Sequence, residues 1–151
     1  MKALIVYDSV YGNTEKIAGA MSEAITPPDE AEIVRAGQVN LSKLASIDLL
    51  IVGSPTHGGR PTPAVQEFLG KVTRPSLEGV KVAAFDTRTA AKLARVFGNA
   101  AARIAGNLEK KGGTAVGSPE GFFVKGSKGP LKEGELERAA GWAKGIIESK
   151  K

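Results

Sequence analysis

Three apolar stretches, each followed directly by polar turn residues, constrain the fold of this sequence more than any other feature. They are Ala3–Tyr7, Ile47–Gly53 and Val80–Phe85. Each is apolar over most of its length and lacks the strict alternation of a strand with one solvent face, so each is predicted to be a strand that is covered on both faces. Strands of that kind occur in parallel sheets.

Helical patterns alternate with these strands. Residues 13–25 carry apolar side chains at helical spacing, with Asn13 as the predicted N-cap and Pro27-Pro28 as the stop. Thr62-Pro63 begins a second helix, because proline is favoured in a first turn. The apolar residues of this helix follow at i, i+3, i+4 and i+7: Val65, Phe68, Leu69 and Val72.

The remaining elements complete the same alternation. A short strand is predicted at Glu32–Ala36, and a last strand at 114–124 that Pro119 interrupts. The helix before the last strand is predicted from Leu93, Val96, Phe97, Ala100, Ile104 and Leu108, and the terminal helix from Leu136, Ala140, Trp142, Ala143, Ile146 and Ile147. The chain is therefore predicted to be one α/β domain over residues 1–151, a doubly wound five-stranded parallel sheet in a three-layer α/β/α sandwich.

Composition narrows the classes of function. The chain has no cysteine, so redox chemistry would require an organic cofactor or a metal held by other ligands. Lys and Arg number 21 against 16 Asp and Glu, a net charge of +5, but the chain shows no nucleic-acid-binding module and has only five Phe, two Tyr and one Trp. The first apolar run ends at Asp8 and is too short for a signal sequence or a membrane span. We expect a cytoplasmic protein with neither a nucleic-acid nor a membrane partner.

Ligands of open parallel sheets bind outside the carboxyl ends of the strands, which directs attention to residues 8–14, 54–62 and 86–91. The first of these loops offers hydroxyls, an amide, a glycine and the N–H groups of a helix start, which suit a phosphate group. It contains neither the lysine of a nucleoside-triphosphate loop nor the pattern G-x-G-x-x-G. A phosphate monoester fits this loop better than a triphosphate or a dinucleotide.

The string Ser9-Val10-Tyr11-Gly12-Asn13-Thr14 resembles the flavodoxin phosphate loop, in which Ser or Thr, any residue, Ser or Thr, Gly, any residue and Thr follow one another. Tyr11 departs from that pattern in the way that the flavodoxin domains of flavodiiron proteins do. Gly53-Ser54-Pro55-Thr56 is similar to a second string of those domains. The resemblance implies a flavodoxin-like fold that binds FMN, with Tyr11 against the isoalloxazine ring.

The same resemblance places the second loop at the reactive edge of the flavin. The residues concerned are Pro55, Thr56, His57, Gly58 and Gly59. It implies that a peptide at Gly58 flips, so that its carbonyl accepts a hydrogen bond from the N5 proton of the reduced ring. His57 would border the flavin or face solvent, because one histidine without cysteines or nearby carboxylates is a poor metal site.

The third loop, with Asp86, Thr87 and Arg88, differs most from flavodoxins, which usually have a tyrosine there that stacks on the outer face of the ring. Two interpretations of Arg88 stay open. The guanidinium would lie near the N1–C2 edge of the ring and raise the flavin's two-electron potential. Alternatively, Asp86 and Arg88 would pair with each other or cap the next helix.

The resemblance implies an FMN-binding electron carrier that serves redox partner proteins, rather than a stand-alone enzyme. An FMN-dependent NAD(P)H:quinone or flavin oxidoreductase is one alternative, and a flavodoxin-fold binding module that has lost FMN is another. Flavodoxins are typically acidic and dock on basic partners, whereas this chain is basic. A receiver domain that accepts a phosphoryl group is excluded, because Ser54 stands where that chemistry requires an aspartate.

Overall fold

A computed structural model describes residues 1–74, 76–89, 98–126 and 128–149. Its strands are β1 (Lys2–Tyr7), β2 (Glu30–Arg35), β3 (Leu49–Pro55), β4 (Lys81–Thr89), β5 (Thr114–Ala115) and β6 (Glu120–Val124). Its α-helices are α1 (Asn13–Ile25), α2 (Pro63–Lys71), α3 (Ala100–Lys110) and α4 (Glu135–Ser149). Two short 3₁₀ helices, Ala36–Gln38 and Leu41–Ser46, lie between β2 and β3.

The strands form one parallel sheet in the order β2-β1-β3-β4-β5. The last segment, β6, also pairs in parallel with β4, further along the same edge than β5. The two segments therefore share the fifth position of the sheet, and Pro119 lies between them, where a proline interrupts strand pairing least. The predicted doubly wound five-stranded sheet is confirmed.

Buried side chains cover both faces of the sheet, as the apolar strands predicted. Alternate residues of β1 point to opposite faces, so Leu4 and Val6 pack with α2 and α3 while Ile5 and Tyr7 pack with α1 and α4. The second face centres on three rings, Phe85, Phe122 and Trp142, whose centroids are 6.1–6.3 Å apart in edge-to-face contact.

Glycine at position 53 is required by this ring cluster. A side chain there would overlap the ring of Phe85. Gly53 also ends the apolar part of β3, so the same residue allows the aromatic core to reach the edge of the sheet where the loops lie.

The structure differs in detail from several sequence predictions, including the bounds of β2 and β3. Strand β4 runs on to Thr89, because β6 pairs with Phe85–Thr89 and extends it; Asp86, Thr87 and Arg88 therefore lie on a strand rather than in a loop. Asn13 is the first residue of α1 and not its N-cap, which is Gly12. Leu136 is 41% exposed, because α4 turns its neighbour Glu135 inward instead. Leu93, Val96 and Phe97 lie outside the described residues.

The inward-facing Glu135 joins α4 to the end of β6. Its Oε2 accepts hydrogen bonds from the N–H of Phe123 at 2.7 Å and from Arg138 at 2.7 Å. Arg138 in turn donates to the carbonyl of Gly121 and lies 4.5 Å from the centroid of the Phe122 ring. The hydrogen bonds from Arg138 and Phe123 hold the pKa of Glu135 below its ordinary value, against the opposing effect of burial.

Replacing Glu135 by glutamine is expected to lower the free energy of unfolding at pH 7 by about 1–3 kcal/mol, since it removes charge-assisted bonds to a buried acceptor. Because the folded protein lowers this pKa, the stabilisation is present above the ordinary glutamate pKa of 4.5 and is lost as the pH falls through the folded value. Urea denaturation at pH values from 7 to 3 measures both the loss of unfolding free energy and its dependence on pH. The exposed first-turn Glu137→Gln is the control, and equal losses in both variants at every pH would contradict the prediction.

Candidate functional site

A cavity of about 260 Å³ opens at the carboxyl edge of the sheet. The loop after β1, the loop after β3 and the ends of β4 and β6 form its walls. Its lining residues are Ser9, Val10, Tyr11, Asn13, Thr14, Pro55, Thr56, His57, Thr87, Arg88, Thr89 and Val124. Most of the predicted site residues therefore meet in one cavity.

The first loop presents main-chain donors at the start of α1. Gly12 has a φ of 89°, which turns the chain into the helix. The hydroxyl of Ser9 accepts the N–H of Gly12 at 3.0 Å. No hydrogen bond within the described residues uses the N–H groups of Val10, Tyr11, Asn13 and Thr14. Such N–H groups, together with the positive end of the helix dipole, form an anion site.

Neighbouring elements hold this loop in place. The N–H of Asp8 donates to the carbonyl of Gly53 at 3.2 Å, and its carboxylate accepts the hydroxyl of Thr62 at 2.5 Å. Arg35 donates to the carbonyl of Ser9 at 3.2 Å and faces the carboxylates of Asp8 and Glu15 at 3.6 and 3.7 Å. The first loop is thus attached to both strands that flank β1.

A buried pair of hydroxyls connects the first loop to β4. The Oγ1 atoms of Thr14 and Thr87 are 2.8 Å apart, although the residues are 73 positions apart in the chain. Thr14 and Thr87 are 1% and 5% exposed. This bond fixes the two walls of the cavity relative to each other.

The second loop is a tight hairpin. The main chains of His57 and Arg60 exchange hydrogen bonds of 2.8 and 3.1 Å around Gly58 and Gly59, whose φ angles are 58° and 81°. Consecutive positive φ values are what a two-residue hairpin turn of type I′ requires. Arg103 of α3 donates to the carbonyl of Gly59 at 2.8 Å. The two glycines shape the hairpin without lining the cavity, whereas Pro55, Thr56 and His57 line it.

Asp86 is fully buried and does not line the cavity. Its carboxylate accepts Nε of Arg88 at 2.8 Å and the N–H of Ala101, in the first turn of α3, at 3.0 Å. Burial raises the pKa of Asp86 above its ordinary value, and the Ala101 hydrogen bond and the charge of Arg88 oppose that rise. Asp86 thus both pairs with Arg88 and binds the start of the next helix, as one of the two open interpretations predicted.

The position of the Arg88 side chain also depends on Gly121. A side chain at Gly121 of β6 would overlap its guanidinium group. The absence of a side chain there leaves room for the guanidinium, which is held by Asp86 on one side and lies at the cavity wall on the other. The pairing with Asp86 and the position at the cavity are therefore compatible.

The turn after β6 also reaches the site. Lys128 accepts a hydrogen bond from the Asn13 side chain at 3.3 Å through its carbonyl, and its Nζ lies 6.0 Å from the centroid of the Tyr11 ring. Sequence reasoning did not include Val124 or Thr89, which line the cavity as well. Thr89 lay within the predicted third loop, but an apolar residue at a strand end, as Val124 is, carries no sequence signal for a ligand.

The described residues contain no group of three or more His, Cys, Asp or Glu side chains placed to hold a metal ion. None of the helices in the described ranges has the length and apolar character that a membrane crossing needs.

Comparisons with known proteins agree on one family. The family model described as "Flavodoxin" matches residues 5–142. A curated relative, "Probable flavodoxin 1" of Bacillus subtilis, is 33% identical over 86 residues, which are 56% of this chain and 54% of that protein. The chain thus matches about half of that relative's length.

Solved structures share the fold. The crystal structure of oxidised Flavodoxin 2 from Bacillus cereus has a TM-score of 0.84 and 26% identity, and the match covers 99% of each chain. The flavodiiron protein from Giardia intestinalis has a TM-score of 0.75 and 20% identity, with 97% of this chain matching 35% of that one. The latter likeness concerns the fold alone.

Replacing Thr14 by valine is expected to lower the free energy of unfolding by about 1–3 kcal/mol, because the buried Thr87 hydroxyl loses its partner. The double variant Thr14→Val/Thr87→Val should recover part of that loss, since no buried hydroxyl is then left unpaired. Urea denaturation of the four proteins in the cycle measures the coupling. Thr73→Val, which alters an exposed hydroxyl pair, is the control; strict additivity of the two site variants would contradict the prediction.

Proposed function

Because this chain belongs to the flavodoxin family, whose members bind FMN, we propose that it holds one FMN in the cavity at the carboxyl edge of the sheet and carries electrons between redox partner proteins. The observation that carries the proposal is the convergence of a phosphate-type loop and an aromatic side chain in one cavity. We further propose that it acts as a single domain in the cytoplasm.

The residues present fit the two ends of FMN. The N–H groups of the first loop and the start of α1 suit a phosphate monoester, and none of the described residues that line the cavity has a carboxylate to repel it. Tyr11, 52% exposed at the rim, offers a flat aromatic face to a planar ring. His57 and Pro55 would border the same ring from the second loop. When bound, FMN supplies one- and two-electron redox chemistry, which none of the protein's own side chains provides.

The hairpin at Gly58 and Gly59 would interact with N5 of the reduced flavin ring. The peptide between the two glycines is the central peptide of the turn, and within the described residues its N–H and carbonyl form no hydrogen bond. Glycine at both positions lets this peptide rotate at low steric cost. Its carbonyl would then accept a hydrogen bond from the N–H at N5 of the reduced ring.

Among the described residues that line the cavity, Arg88 carries a permanent charge. A cation there would favour added negative charge on the ring and so raise the flavin's two-electron potential. Asp86 lies further from the cavity than Arg88, so its charge offsets this effect only in part.

The protein is expected to bind FMN about 100-fold more tightly than riboflavin, because riboflavin lacks the phosphate that the charge-assisted bonds of the first loop would hold. Ser9→Ala should reduce that ratio about tenfold, since the Ser9 hydroxyl orders the loop through the N–H of Gly12. Quenching of flavin fluorescence measures both affinities. Ser46→Ala, an exposed serine away from the cavity, is the control.

Equal affinity for FMN and riboflavin would contradict the phosphate assignment. A protein that purifies colourless and binds neither flavin would contradict the proposed function and favour a binding module. Rapid anaerobic bleaching of the FMN-loaded protein by NAD(P)H, with turnover of an added quinone, would favour the reductase instead.

Arg88→Gln is expected to lower the midpoint potential of the bound FMN. Removing a unit charge at the cavity wall changes the energy of the reduced ring by about 1–2 kcal/mol, which is about 20–40 mV for a two-electron couple. Gly121→Ala should shift the potential in the same direction, because its Cβ displaces the Arg88 guanidinium.

Redox titration of the FMN-loaded variants measures these shifts. Arg74→Gln, in the connection that leads to the opposite end of β4, and Gly106→Ala, whose added Cβ meets nothing within 4 Å, are the matched controls. Potentials that stay unchanged in both site variants would assign Arg88 to the pairing with Asp86 alone.

A further inference from the structure

The described segments that border the cavity carry basic side chains and no acidic ones. Residues 9–14, 55–61, 87–89 and 124–130 contain Arg60, Arg88, Lys125 and Lys128, and no Asp or Glu. Arg60 belongs to the hairpin of His57, on the side that faces a neighbouring pocket with Gln66 and Arg103; Lys125 follows Val124, and Lys128 lies beside Tyr11. We call Arg60, Lys125 and Lys128, together with Val10 and Tyr11, the mouth surface.

The cations of the mouth surface lack counter-charges. The charge of Arg88 is balanced by buried Asp86. Arg60, Lys125 and Lys128 are exposed, and none of them forms an ion pair within the described part of the chain.

The nearest acidic groups do not cancel these charges. Asp8 and Glu15, which flank the first loop, both face Arg35. Asp8 also accepts the hydroxyl of Thr62, and Glu15 accepts that of Tyr7 at 2.7 Å. With Arg35 these two carboxylates carry a net charge of −1, which is smaller than the +3 of Arg60, Lys125 and Lys128, so the region keeps a net positive charge.

The same surface includes two exposed apolar side chains, one of which lies beside Lys128. Val10 and Tyr11 are 53% and 52% exposed, the highest values among the exposed large hydrophobic residues of the described ranges. Apolar side chains together with charged ones are usual in a protein–protein interface. It also brings a partner close to the part of the cavity that Tyr11 and His57 border.

We propose that the mouth surface docks a redox partner protein that carries carboxylates around its own redox centre. This proposal rests on the proposed function, since the partner would exchange electrons with FMN. One electron leaves one centre and arrives at the other, and no covalent bond forms or breaks between the proteins. Opposite charges on the two surfaces steer the encounter and orient the two centres.

The experiment uses the FMN-loaded protein, whose absorption spectrum is recorded first. The reduced protein is mixed in stopped flow with ferricyanide, an anion, and separately with hexaammineruthenium(III), a cation. Each oxidant ion takes one electron, so two are consumed for each two-electron-reduced FMN, and the released protons pass to the buffer. The rate with ferricyanide should fall as salt is added, and the rate with the ruthenium complex should rise, because salt screens the positive mouth surface.

A second measurement uses protein probes of opposite charge. The oxidised, FMN-loaded protein is mixed with a reduced acidic ferredoxin, and the reduced protein with the basic protein cytochrome c. The variant Arg60→Glu/Lys125→Glu/Lys128→Glu should slow the ferredoxin reaction at least about tenfold at low salt and speed the cytochrome c reaction.

The matched control is Arg74→Glu/Lys110→Glu/Lys144→Glu. It changes the net charge by the same amount, at exposed positions near the opposite edge of the sheet. This variant should change either rate less than about threefold.

Equal effects of the two triple variants, with FMN bound in both, would overturn the docking proposal and leave the proposed function intact. Binding to phosphatidylglycerol vesicles or to single-stranded DNA that only the mouth variant loses, with unchanged ferredoxin rates, would also overturn it in favour of a polyanion. A protein without FMN in its spectrum would overturn both proposals together.

Discussion

Parallel pairing of β1, β3 and β4 is the constraint on which the rest of this structure depends. Because these strands run in one direction, the chain leaves each of them at the same edge of the sheet. Parallel pairing alone therefore brings the loops after β1 and β3 next to the end of β4. Local bonds such as that between Asp8 and Gly53 join neighbouring strands at this edge. This topology therefore brings the N–H groups at the start of α1 and several side-chain hydroxyls together at one edge of the sheet.

Strand β6 determines the conformation of the third wall of the site. By pairing with the last residues of β4, it keeps Asp86, Thr87 and Arg88 in regular strand geometry. Alternation along the strand then separates neighbours, so Asp86 lies in the interior and Thr87 at the cavity. The buried carboxylate is tolerable because Arg88 and the start of α3 supply charge and hydrogen bonds. Asp86 thus binds both Arg88, at the cavity wall, and the start of α3 behind it.

The flavodoxin fold of this chain bears on cofactor binding, whereas its surface charge bears on the proposed redox partner. The sequence match places the chain in the family, and the fold and its loops form a cavity at one edge of the sheet. Arg60, Lys125 and Lys128 near that edge are exposed, so their side chains contribute little to the core. In this chain the exposed residues there are lysine and arginine, and under the docking proposal they would select the partner separately from cofactor binding.

The sequence by itself determined the elements and their order, because apolar runs and helical spacing act over a few residues. It also located the first and second loops, whose Gly12, Gly58 and Gly59 are required by local backbone geometry. Only the tertiary structure decided that β4 continues to Thr89, that Asp86 is buried, and that Thr14 bonds to Thr87. Each of these depends on pairing or packing between segments far apart in the chain. Residue spacing encodes local conformation, whereas such long-range contacts exist only once the sheet has assembled.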